Sequence, residues 1–356
     1  MDELISIIMP AYRAEKTIKK SIESVLTQDY KNLELIVVID GFDDPTYDVC
    51  KGIKDSRLKV FRKENGGVVG AYKYGIIQAK GIYLGFCDSD DTYKQGFISK
   101  GISLIKENNC DFVSFAYDVV NSKGEITESH CNYINTGMYN RNTIESDIIP
   151  NVIFNSFIRE KMYPLLMLRW NKIYKKDLVN SFIDILDDKC RQIEDNFFVI
   201  NTILNSKSFY ICNEFKCYNY LIAETSISSG YSDSSILDAY LYTISKIEEL
   251  ANDNPLLNKH QIDFLAYDSA RIVFHRCAKY TDYKTSKELI KRISKLDKIS
   301  NVKFFELKML KNHVYHFMYV NGSCCGNCAR NRKEKGGPTA AGNCRKNTAV
   351  SCTGKQ

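Results

Sequence analysis

Ser6-Ile7-Ile8-Met9-Pro10-Ala11-Tyr12 is the stretch from which the fold can be read. Ile5 to Pro10 reads as a first strand. After it, between Lys16 and Thr27, Ile18, Ile22, Val25 and Leu26 fall on one face of a helix. Leu33 to Ile39 is a second, buried strand. A weaker strand, Leu58 to Arg62, leads through Asn65, Gly66 and Gly67 into a helix holding Ile76 and Ala79. Ile82 to Cys87 is the next strand; Ile98, Gly101, Ile102 and Ile105 form the inner face of a further helix, and Asp111 to Tyr117 follows as a strand. This alternation predicts an α/β fold, strands laid parallel with helices over both faces.

In open sheets of this kind ligands bind beyond the carboxyl ends of the strands. Tyr12 follows the first strand, Asp40 the second, and Asp88, Ser89, Asp90 and Asp91 the strand ending at Cys87, so three strand ends face one crevice. Beyond Tyr139 the pattern is less regular, with a helix near Asp195 and a strand at Ser208 to Cys212. Residues 235 to 318 read as helical, through Ile236 to Leu250 and Phe304 to Leu310, with their apolar residues as core. The expected organisation is a domain over 1–230, a helical subdomain over 231–320 and a disordered tail over 321–356.

That tail contains no Leu, Ile, Phe, Tyr or Trp and cannot bury enough apolar area to offset its ordering entropy. Its seven basic residues and one acid account for the whole net charge of +6. The body is neutral and gives no electrostatic reason to expect nucleic acid, and the tail lacks aromatic residues for stacking on bases. Cys325 and Cys328 have zinc-knuckle spacing, but Cys344 and Cys352 do not and no His is near, so an extension foreign to the fold is the better reading. The body's cysteines are scattered singly and read as reduced, buried thiols. No apolar run is long enough to cross a membrane, and Met1-Asp2-Glu3-Leu4 lacks the basic start of a signal peptide. The expectation is a cytoplasmic protein, with peripheral association at the inner face of a membrane left open.

The acidic run suggests chemistry. A sugar nucleotide leaves as a diphosphate, and a hard divalent cation held by one or two carboxylates is the usual means of neutralising it. Asp88-Ser89-Asp90-Asp91 offers such carboxylates; the alternative is an acidic turn capping the next helix. Glu194 and Asp195 are a second acidic pair. Asp195 suits a general base whose proton affinity is set by Glu194 and a nearby metal-bound nucleotide, and equally suits a helix N-cap. Trp170 could stack on a sugar or sit in the core, and Lys172 could pair with a diphosphate or lie on the surface.

Taken in order, Ser6 to Tyr12, Leu35-Ile36-Val37-Val38-Ile39-Asp40-Gly41, Asn65-Gly66-Gly67 and Phe86-Cys87-Asp88-Ser89-Asp90-Asp91 resemble glycosyltransferase family 2. Trp170-Asn171-Lys172-Ile173-Tyr174 and Ile193-Glu194-Asp195-Asn196-Phe197-Phe198 are similar to later motifs of bacterial members that build capsular, teichoic or exopolysaccharide chains. The resemblance covers residues 4 to 228 and implies a GT-A fold, a mixed, largely parallel sheet flanked by helices. It implies that Tyr12 and Asp40 contact the base of a uridine nucleotide, that Asp88 begins the D-x-D, that Asp90 and Asp91 serve metal (Mn²⁺ or Mg²⁺) and ribose-phosphate, and that Asp195 is the base of an inverting transfer. Trp170, Lys172 and Glu194 are the acceptor-side candidates. The implied partners are a nucleotide-sugar donor and a saccharide or lipid-linked acceptor.

Two departures stand out. Ile39 replaces an acid, leaving Asp40 alone to read the base. Tyr72 and Lys73 replace an Arg-Asn pair, so Lys73 would bring the missing charge from one position, about 100° of helix rotation, further on. They motivate a competing reading, a degenerate member that binds nucleotide sugar or a partner enzyme without turnover. A dinucleotide oxidoreductase would need a Gly-x-Gly-x-x-Gly turn after the first strand, and Pro10-Ala11-Tyr12-Arg13 is not one.

Overall fold

A computed structural model describes residues 3–153, 165–222 and 235–280. In chain order it contains β1 (Ile5–Ala11), α1 (Ile18–Leu26), β2 (Leu33–Asp40), α2 (Thr46–Lys51), β3 (Leu58–Lys63), α3 (Val68–Gln78), β4 (Tyr83–Phe86), β5 (Thr92–Tyr93) and α4 (Phe97–Asn108). Then follow β6 (Phe112–Val120), β7 (Ile126–His130), β8 (Gly137–Asn140), the short α5 (Arg141–Thr143), β9 (Lys172–Lys175), α6 (Lys176–Asn180), α7 (Glu194–Asn205), β10 (Ser208–Leu221), α8 (Ser235–Asp253) and α9 (Lys259–Tyr280).

The strands form one sheet in the order β3-β2-β1-β4-β9-β6-β10-β5, with β7 on β6 and β8 on β10. β3, β2, β1 and β4 are parallel, as the alternating pattern predicts. Every residue of β1, β2 and β4 is buried, which is why these strands read as unbroken apolar runs: helices cover both faces. In α1 the four apolar residues of the predicted face are buried. The mixed character enters at β9, which runs antiparallel to β4 on one side and β6 on the other.

Two elements depart from expectation. Lys172–Lys175 is a central strand, and β10 runs on to Leu221, past Cys212, through two register shifts around Lys216. α8 and α9 are helical as read. Their Ile244, Ile247, Ile262 and Leu265 are buried in the core that continues under the sheet, while Gln261 ties α9 to Pro150 and Ile153 through its amide. The helical reading of 281–318, the tail and the tail's cysteines lie outside the described residues. Cys50, Cys87, Cys110, Cys131, Cys190, Cys212 and Cys217 carry free thiols, all but Cys131 buried. Among the described residues no helix is long and apolar enough to cross a membrane.

At the end of the sheet opposite the crevice a buried network fixes how β4 enters. Ser6 Oγ donates to Glu34 Oε1 at 2.6 Å, the Lys80 amide donates to the same oxygen, and the Gly81 amide donates to Ser6 Oγ. A Cβ at Gly81 would stand 2.6 Å from Ser6 N and 2.7 Å from Leu4 O, both backbone atoms that cannot swing away. Gly81→Ala is expected to destabilise the protein by about 1–3 kcal/mol or more. A urea denaturation midpoint unchanged from wild type would show that the backbone yields at no cost.

Candidate active site

The crevice begins with the turn after β1. The Arg13 amide donates to Asp44 Oδ2 at 2.5 Å and the Ala14 amide to Thr46 Oγ1 at 2.8 Å, which pins the turn to α2. Tyr12 is left 41% exposed, with the Arg13 guanidinium 5.2 Å from its ring centre, and a Cβ added at Gly41 would stand 3.8 Å from its ring. Tyr12 and the end of β2 therefore share one surface.

Asp40 is buried there. Its Oδ1 accepts from Lys63 Nζ at 2.9 Å and the Gly66 amide at 3.0 Å, its Oδ2 accepts from the Gly67 amide at 2.7 Å, and its carbonyl accepts from Asn65. The carboxylate thus shapes the glycine loop, in which Gly67 begins α3 at φ +90°, a conformation that suits glycine. Sequence reasoning missed Lys63. Lys73, expected to bring positive charge to the nucleotide, donates instead to the Leu186 carbonyl at 3.0 Å on the outer side of α3. That side borders a cleft of about 740 Å³ lined by Gly70, Lys73, Leu186, Asp188 and Glu249, which holds none of Tyr12, Asp88, Asp90 or Asp195.

The acidic run is a turn after β4 and caps no helix, since α4 begins later, at Phe97, with Gly96 as its N-cap. The Ser89 carbonyl accepts from Thr17 Oγ1 and Ser21 Oγ of α1, and the Asp88 amide donates to Tyr218 Oη. Asp90 is exposed at the tip. Asp91 is fully buried: its Oδ1 accepts from the Leu221 amide at 2.7 Å, and its Oδ2 has no partner among the described residues. Burial and the neighbouring Asp90 and Asp88 hold its carboxyl well above the usual range. Asp88 is pushed up to about 6, chiefly by burial, against the pull of Arg169.

Arg169 organises what remains. Its side chain is 3% exposed and donates through Nη2 to Asp88 Oδ1 at 2.5 Å and through Nη1 to Asp195 Oδ1. Beneath it lie Tyr72 and Phe86, with ring centres 5.0 and 5.9 Å from the guanidinium carbon. Asp195 is the second residue of α7 and is not its cap; the N-cap position is Ile193, a β-branched residue at φ +50°. Glu194 beside it is raised from 4.5 to about 7 by burial and by Asp195, against Arg169. Because the folded state holds this proton more tightly than the unfolded chain, the group weakens folding progressively as pH rises from its ordinary value through about 7. Glu194→Gln is expected to match wild-type stability in acid and to exceed it by about 1 kcal/mol or more above neutrality. Equal denaturation curves at pH 8 would count against this.

Among the described residues no three His, Cys, Asp or Glu side chains converge to hold a metal by themselves. The exposed Asp90 and the unpartnered inner oxygen of Asp91 nevertheless suit a hard cation that completes its coordination with diphosphate oxygens and water.

The family description "Glycosyl transferase family 2" matches residues 6–164. Glycosyltransferase GlyA of Streptococcus pneumoniae is 26% identical over 322 residues, 87% of this chain and 44% of that protein. Residues 6–164 thus carry a glycosyltransferase family 2 domain. The Escherichia coli protein WfgD, a UDP-Glc:alpha-D-GlcNAc-diphosphoundecaprenol beta-1,3-glucosyltransferase, is 39% identical over 122 residues, 34% of this chain and 48% of that one. The matched part spans less than half the length of either relative. S. aureus TarS 1-349, solved in complex with UDP-GlcNAc, shares the fold with a TM-score of 0.55 at 21% identity, covering 82% of this chain and 88% of that one. The fold is GT-A.

Beyond the matched segment, two acceptor-side candidates are placed in the core. Trp170 is 3% exposed and stacks on Tyr218, ring centres 4.0 Å apart, and on Tyr220 at 5.8 Å, with Tyr117 against its edge. Lys172 is fully buried and donates to the Leu166 and Leu168 carbonyls and to Asn171 Oδ1, and burial lowers its pKa to about 7. Its ammonium is committed to shaping the chain before β9. Arg169, which joins the two acidic groups, was not singled out from the sequence. Its one signal was position, next to the Trp170-Asn171-Lys172 motif.

Proposed function

We propose that the chain moves a sugar from a UDP-sugar donor to a hydroxyl of a saccharide or lipid-linked acceptor, with inversion at the anomeric carbon, in the building of a surface polysaccharide. The observation that carries this reading is the pairing of Asp88, on the turn after β4, with Asp195, at the start of α7, through the single guanidinium of Arg169. In this reading Asp88 is the donor-side carboxylate and Asp195 the base, held on opposite flanks of one guanidinium. The UDP-sugars in the names of WfgD and of the TarS complex support the donor class.

In this reading Tyr12 packs on the uracil and Asp40, whose Oδ2 accepts one protein hydrogen bond, accepts from the base at its rim. A divalent cation, when bound at Asp90 and Asp91, neutralises charge on the departing diphosphate. Asp195 takes the proton of the acceptor hydroxyl as that oxygen attacks the anomeric carbon opposite the leaving UDP, so one bond forms as the other breaks. Acceptor recognition belongs to the later part of the chain, with the divisions near residues 230 and 320 part of the same proposal.

The second reading, binding without turnover, is favoured by one observation: Lys63, Gly66 and Gly67 already occupy the Asp40 carboxylate. Calorimetric titration of UDP with and without Mn²⁺, followed by UDP release from a panel of UDP-sugars, separates them. Metal-dependent binding with turnover supports the transferase. Binding without turnover favours the second reading, and the absence of both refutes the donor assignment.

A further inference from the structure

Three features of Arg169 are not explained by packing. It is buried between two carboxylates that come from elements 81 and 26 residues away in sequence. Its two terminal nitrogens are satisfied on the crevice side, while its Nε, also buried, has no partner among the described residues. A side chain chosen only to fill the core would leave no donor unpaired there. Finally, the carboxylate it holds on α7 follows closely on Ile193, whose left-handed backbone is uncommon for a β-branched residue and persists where surrounding contacts over-determine it.

From these we infer that Arg169 is a positioning residue, which fixes the base Asp195 relative to the donor-loop carboxylate Asp88 by binding both with one rigid guanidinium. The inference rests on the transferase reading above and adds a residue that acts through Asp195 without touching the reacting atoms. A planar fork suits this role because it presents donors at fixed spacing, whereas a lysine ammonium offers one point charge on a flexible stem. The rings of Tyr72 and Phe86 beneath the fork restrict its motion toward the core. The base is thereby held by one side chain at a fixed span from the donor loop, and a shift of about 1 Å in its position is enough to cost about 10²-fold in rate.

The test uses the full chain with a UDP-sugar that the wild type turns over, and compares Arg169→Lys, Arg169→Met, Asp195→Asn and the double variant R169M/D195N. Arg169→Lys is expected to retain the wild-type melting temperature within a few degrees, to keep its KM for donor within about threefold, and to lose about 10²-fold in kcat. The double variant is expected to be no slower than Asp195→Asn alone, because Arg169 acts through the group already removed. A kcat for Arg169→Lys within about threefold of wild type, or losses that multiply in the double variant, would overturn the inference while leaving the transferase reading intact. If Arg169→Met does not fold, the Lys variant decides by the same criteria. A wild-type chain that neither binds UDP nor turns over any UDP-sugar would overturn both.

Discussion

Asp195→Asn is expected to lower turnover by about 10²–10⁴-fold, the usual contribution of a positioned general base, while metal-dependent UDP binding persists. Asn keeps the size of the side chain and an oxygen for Arg169 to grip, so α7 retains its start and the crevice its shape. What disappears is the acceptor for the hydroxyl proton. The substitution also converts an ion pair of a 3% exposed guanidinium into a neutral hydrogen bond, leaving Arg169 with Asp88 as its one charged partner in direct contact among the described residues. Some loss of stability follows, and thermal melts should be run beside the kinetics. UDP release from the donor, measured with acceptor present, gives the turnover. A variant that keeps a tenth or more of wild-type kcat would remove Asp195 from the base role.

Asp90→Asn is expected to weaken metal-dependent UDP binding by about 10²-fold or more, since even outer-shell substitutions at metal sites cost about 10–100-fold in affinity. Asp90 is exposed at the tip of its turn, and the supports of that turn from Thr17, Ser21 and Tyr218 reach Ser89 and Asp88, so they survive its replacement. Asp91 is unsuitable for the same experiment, because its carboxylate holds the Leu221 amide and its loss would confound binding with folding. Titration of UDP in Mn²⁺ and then in chelator reads the effect, with wild type and variant expected to converge once the metal is removed. Equal UDP affinity for wild type and variant in Mn²⁺ would mean that the cation is not held at the tip of this turn.

Much of the first half was legible because its chemistry is local. β1, β2 and β4 announce themselves as apolar runs, α1 by its spacing, and the crevice by the residues that follow each strand. The second half hides its structure in long-range contacts. Lys172–Lys175 begins and ends with lysines and reads as surface until Leu166, Leu168 and Asn171 are seen to accept the buried ammonium. β10 is masked by the polar stretch from Asn213 to Lys216, where its register shifts. Trp170 could be read as a sugar platform or as core because a lone tryptophan carries no information about what covers it; three tyrosines from β6 and β10 cover it. Asp88, Asp90, Asp91 and Asp195 were visible as residue types in motifs. Their division into an exposed tip, a buried anchor and two arms of one ion-pair bridge depends on distances that no spacing encodes.

The reversed direction of β9 bears on how such a chain can diversify. Because β9 runs against β4, its beginning lies at the end of the sheet where β4 finishes, and Arg169 enters β9 just where Asp88 leaves β4. The separation of these two residues is therefore set by a ladder of backbone hydrogen bonds between neighbouring strands. The chain between β8 and the few residues around Arg169 that lead into β9 is not part of that ladder. A change of length there leaves the span from Asp88 to Arg169 as the sheet measures it out.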